Sequence, residues 1–91
     1  MEQYAIDLFD GHCDAVFLRY LSGGGLRRND GHVDLERMGK YRRCAQFFAL
    51  FHDAAEAPAD GMWAQCQRMH DFFLREMADN ADIVRHCRTG G

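Results

Sequence analysis

No C-x-x-C pair occurs in this 91-residue chain, whose four cysteines, Cys13, Cys44, Cys66 and Cys87, lie 31, 22 and 21 positions apart. Structural zinc sites carry close ligand pairs, so that class is excluded. A secretory leader, the usual companion of a disulfide scaffold, is missing too: Met1-Glu2-Gln3 is acidic and polar with no apolar run behind it. The expectation is four reduced cysteines acting mostly as small hydrophobes in a cytoplasmic chain. The longest apolar stretch, Cys44–Phe51, falls far below the ~20 residues of a membrane span, so no membrane partner is expected. A basic excess is also lacking. Eleven Lys+Arg face fourteen Asp+Glu, for a net charge of −3, which argues against a nucleic-acid partner. The glycines Gly23–Gly25 form no phosphate loop, since neither G-x-x-x-x-G-K-[ST] nor G-x-G-x-x-G can be read around them.

What remains is globular in composition, with 47% apolar, 12% aromatic and 27% charged residues. A chain this short makes one small domain, residues 1–91, or a piece of a larger one, and buries only ~60–65% of its unfolded surface. Tyr4–Phe9 is short and β-prone and runs into Asp10-Gly11-His12-Cys13-Asp14. Ala15–Leu21 places Val16, Phe17, Tyr20 and Leu21 at helical spacing, and Ser22 with the triple glycine stops it. Asp34 offers a cap for a brief helix Leu35–Gly39. Cys44–Phe51 is nearly continuous in apolar residues and reads as a parallel strand covered on both faces. Residues 54–60, with Pro58, read as a connecting loop. From Met62 the period becomes 3.6: Met62, Cys66, Met69, Phe73 and Met77 make one stripe of an amphipathic helix reaching about Asn80. The order is strand, short helices, strand, long helix, the opening of an α/β fold with a parallel sheet.

The end of the first strand carries His12-x-Asp14. In an extended strand, residues i and i+2 share a face with Cα atoms ~6.6 Å apart, so an imidazole and a carboxylate can close on one cation. The carboxyl end of a parallel strand is where such folds keep their active sites. Imidazole and carboxylate suit Zn²⁺ and leave positions open for water. The same residues also suit an ordinary polar turn after a strand, and spacing alone leaves both readings open.

Three motifs in order add specificity. Asp10-Gly11-His12-Cys13-Asp14-Ala15, then His32-Val33-Asp34-Leu35 with Met38-Gly39, then Ala45-Gln46-Phe47-Phe48, resemble the start of the membrane-dipeptidase (renal dipeptidase-like) family of metallopeptidases. That family opens with an Asp-Gly-His-Asn-Asp strand, followed by a His-Thr-Asp helix start and a Gly-Gln-Phe strand. The resemblance spans nearly the whole chain, from about Ile6 through the long helix. Cys13 replaces the common Asn, and Phe48 the common Trp.

The resemblance implies a (β/α)₈-barrel hydrolase with two zinc ions, of which this chain would be the amino-terminal fragment, truncated after about two βα units. His12 and Asp14 align with the two first-strand ligands of one zinc; Asp10, two residues before His12, suits either orienting a ligand or forming the turn at the strand end. The bridging glutamate and the second zinc's histidines come from later strands in that family. A barrel of this type takes ~250 residues or more, so 91 is about a third. The implied chemistry is hydrolysis of a dipeptide amide by a hydroxide held between two cations. On that reading the 91 residues alone hold no complete catalytic set and are inactive.

Other residues carry weaker signals. Cys66 and His70 stand at i, i+4, but Cys66 lies on the apolar stripe and no third ligand converges. His32 aligns with the family's helix-start histidine, which has no metal role there. His52 closes the second strand, at the face where barrel sites lie. Lys40, Arg42 and Arg43 read as a basic cluster past a helix end. Two rival readings stand beside the dipeptidase: a small non-catalytic interaction protein using the Met62–Met77 helix, and another amidohydrolase-type metal hydrolase. The latter usually carries His-x-His on its first strand, so Asp14 favours the dipeptidase. The uncovered apolar strand also leads to an expectation of self-association.

Overall fold

The computed structural model describes residues 4–50 and 58–88, which excludes His52 and the first part of the expected 54–60 loop. Among the described residues the chain forms two strands and three helices. Strand β1 (Tyr4–Asp10) leads to helix α1 (Ala15–Ser22) and then to a short helix α2 (Leu35–Met38). Strand β2 (Tyr41–Gln46) and the long helix α3 (Met62–Asp79) complete it. The two strands pair in parallel, with Leu8 opposite Cys44, Phe9 opposite Ala45 and Asp10 opposite Gln46, after an irregularity between Tyr4 and Asp7.

Local chemistry explains where each helix starts and stops. Gly23 ends α1 in the left-handed conformation at φ +80°, and its N–H reaches the Arg19 carbonyl at 2.9 Å. Asp34 is extended and buried, and its carboxylate accepts from the Arg37 N–H at 2.8 Å, the N-cap bond that starts α2. The same carboxylate accepts from the Asn29 N–H and from the Arg37 guanidinium. Burial alone would raise the pKa of Asp34, but those two backbone N–H groups and the cation of Arg37 hold it below the usual carboxylate range.

The core is helical and loop-built. Ala15, Val16 and Phe17 of α1, Leu26 from the following loop, Leu35 of α2, and Met69 and Met77 of α3 are its buried members. Phe48 and Leu50, just past β2, pack against them, with the Phe48 ring 5.6 Å from Phe73. Polar ties fasten the loop to the end of α3. The Leu26 N–H donates to Glu76, and Arg27 donates to Asn80 and to both oxygens of Asp82.

Several expectations are corrected. The second strand runs over Tyr41–Gln46 rather than Cys44–Phe51, and its residues are half-buried or exposed, not covered on both faces. β1 ends at Asp10, where the Phe47 N–H still donates to its carbonyl at 3.0 Å; Phe48 and Leu50 then turn onto the helices, and Phe51 lies outside the described residues. Arg42 and Arg43 are not helix-end cations: both lie on β2 and pair with Asp7 of β1 at 2.9 and 2.8 Å. The stripe of α3 starts late. Gln65, Met69 and Met77 are buried, whereas Met62 and Trp63 are 45% and 73% exposed. Leu21 is exposed as well, because Tyr20 makes the contact with α3, 6.4 Å from the Phe72 ring.

Candidate metal centre

His12 and Asp14 lie beyond β1, not on it. The strand stops at Asp10, Gly11 makes a bend, and α1 begins at Ala15. The expected same-face spacing of an extended strand therefore does not bring the pair together; the bend does. His12 Nε2 stands 3.0 Å from Asp14 Oδ1.

Asp14 occupies the N-cap position of α1, where an aspartate ordinarily accepts from the first-turn N–H groups. It makes no such bond. Its side chain is 42% exposed overall, yet Oδ1 is buried and has no hydrogen-bond partner. A buried carboxylate oxygen without a hydrogen bond is costly. Two donors at 2.0–2.1 Å from one tetrahedral zinc would sit ~3.3 Å apart, near the spacing seen here. The pair thus fits zinc as two of four ligands. Among the described residues no group of three or more His, Cys, Asp or Glu side chains is placed to hold a metal.

Asp10 is occupied differently. One of its oxygens receives the His12 backbone N–H at 3.4 Å, and the other receives the Gln46 side-chain amide at 2.8 Å. Gln46 also donates to the Phe47 carbonyl. Asp10 therefore links the end of β2 to the backbone of the His12 segment and orients it without touching the imidazole. Sequence reasoning missed Gln46, whose role appears only once Asp10 and Gln46 are seen as register partners.

Cys13 packs against the core and keeps its proton. Burial is the main cause, and the carboxylates of Asp10 and Asp14 push its pKa up further, against a backbone hydrogen bond at Ala15. Cys44 is pushed the same way, by burial and then by Asp10. All four cysteines are free, with Cys87 exposed. His70 is exposed and Cys66 half-buried on α3, and among the described residues no third donor joins them.

A cleft of about 330 Å³ opens beside the pair, lined among others by His12, Asp14, Leu18, Arg19, His32 and Val33. That volume lies at the lower end of the range for small-molecule sites. His32 is exposed, and its segment is tied by the Asn29 and Arg37 bonds that build the loop ahead of α2. No helix among the described residues is long and apolar enough to cross a membrane. No family model matches the chain, and no curated protein or solved structure matches it at a significant level.

Proposed function

We propose that the chain supplies the opening strand and first metal donors of a zinc-dependent dipeptidase, the whole built as a (β/α)₈ barrel. The observation that supports this most is the buried Oδ1 of Asp14, turned away from its capping role and 3.0 Å from His12 Nε2. A polar turn gives no reason to leave that oxygen unbonded, whereas metal ligation does. When bound, zinc supplies a Lewis acid and an activated water near neutral pH. His12 and Asp14 would hold it, and Asp10 orients the His12 segment. With two donors only, the 91 residues alone bind zinc weakly and turn over no dipeptide.

Reading the gene beyond Gly91 is the first test. An open frame with further strand–helix units bearing His and Glu at strand ends supports the proposal; a stop codon there removes it. In that longer polypeptide, His12→Ala or Asp14→Ala is expected to lose one zinc per chain and several orders of magnitude in kcat. Two zinc ions by elemental analysis and near-normal turnover in His12→Ala would overturn the assignment.

A further inference from the structure

We infer that the cleft beside His12 and Asp14 takes a small carboxylate ligand and that Arg19 is the residue that recognises it; the inference rests on the metal reading for the cation at the opposite wall. Arg19 projects from α1 into the lining of that cleft. Its side chain is only 16% exposed, lying close to the backbone of Gly24 and Gly31. A Cβ added at Gly24 would come within 3.4 Å of Arg19 Cδ, and one at Gly31 within 3.6 Å of Nη2.

The guanidinium is held by little. Among the described residues its one side-chain hydrogen bond runs from Nη1 to Asp30 Oδ1 at 3.0 Å. Asp30 is 97% exposed, and so solvated a partner contributes little to holding an arginine. A guanidinium carries five donors in a fork that matches a carboxylate with two parallel bonds. A ligand carboxylate inside the cleft would displace Asp30 and offer that two-pronged fit in a less hydrated setting. Leu18 and Val33 supply apolar wall for the carbon part of such a ligand.

Charge in the cleft decides when this works. Asp10 and Asp14 face the same space as Arg19, so the bare lining carries a net negative charge and disfavours an anion. A divalent cation on His12 and Asp14 reverses that sign. Carboxylate binding is therefore expected to strengthen when zinc is present.

The probe is N-acetylglycine, a small carboxylate that chelates zinc poorly, compared with its neutral amide, N-acetylglycinamide. Amide-proton NMR shifts of the full 91-residue chain report binding, with and without zinc, alongside a separate zinc titration. The zinc-loaded chain is expected to prefer the acid about ten- to a hundredfold, the usual worth of a charged hydrogen-bond pair. Arg19→Gln should erase that preference. Asp30→Asn should raise affinity for the acid, because it removes the competing carboxylate; a merely structural ion pair would give the opposite or nothing. Unchanged dispersion of the spectrum shows that each variant folds. No preference for the acid, with or without zinc, overturns the inference, as does a preference that survives Arg19→Gln or falls in Asp30→Asn. Failure of zinc to bind with an Arg19-dependent preference intact overturns the metal reading alone.

Discussion

The two halves of this molecule are held together by different means. On one side, α1, α3 and the loop from Gly23 to α2 enclose Val16, Leu26 and Met69, all nearly inaccessible to solvent. Buried apolar surface and a dense set of hydrogen bonds around Asp34 and Asn29 act together there. On the other side, the two-stranded sheet exposes Ile6 and Phe9 at 59% and 70%, and Phe47 just past it is 61% exposed. It is held by its ladder, by the Asp7 ion pairs and by ring contacts such as Phe9–Phe47 at 5.7 Å. Parallel strands are usually covered on both faces, and a bare pair is marginal alone. His12 and Asp14 sit at the seam: β1 has just ended and α1 has just begun. The lesson is that the helical half anchors the site, while the sheet half presents surface that burial has not used.

Substitutions in the helical half should have the largest effects. Met69→Ala or Leu26→Ala removes a side chain with almost no exposed surface and should cost about 2–5 kcal/mol in chemical denaturation. A loss below about 1 kcal/mol would break the contrast.

Asp34→Ala comes next. It removes the cap of α2 and leaves the Asn29 N–H and the Arg37 guanidinium without their acceptor, for a loss of about 1–2 kcal/mol near neutral pH. The folded pKa of Asp34 is depressed below its unfolded value of about 3.9. Its contribution is thus full above that value and is lost as pH falls through the folded pKa. The difference between wild type and Asp34→Asn should accordingly shrink in urea unfolding as pH is lowered below about 4. A difference that grows on acidification would contradict the depressed pKa.

The smallest effect on stability belongs to the sheet. Phe9→Ser is expected to change unfolding free energy by about 0.5 kcal/mol or less, because the ring is 70% exposed. Its effect should instead appear in association. Sedimentation of the wild type is expected to show self-association that Phe9→Ser with Phe47→Ser reduces. A wild type that stays monomeric at high concentration would show that the exposed rings make no contact between copies.

Helix boundaries were legible in the sequence because their causes are local. The stop at Gly23, the cap at Asp34 and the end of α3 at Asn80 all follow from residues within a turn of the boundary. Strand β2 was misplaced because an apolar run looks alike whether it pairs in a sheet or packs under helices. Phe48 and Leu50 do the second. The actual strand begins at Tyr41 and carries charged Arg42-Arg43, whose partner Asp7 lies 35 residues before Arg42 and is invisible to spacing. In the site, the residue types and spacing of His12 and Asp14 were readable, but the bend that joins them was not. Arg19 was missed for a related reason. On a helix wheel it is one more surface cation, and only the fold shows it lining the cleft.

The most direct test of the central claim is a zinc titration of the 15N-labelled chain followed by long-range proton–nitrogen spectra of its histidines. Zinc is expected to shift His12 Nε2 first, with Asp14→Asn weakening the effect and His32, His70 and His86 responding only at higher metal. Equal response of His12, His32, His70 and His86, or a His12 shift that Asp14→Asn leaves unaltered, would contradict a metal centre built on His12 and Asp14.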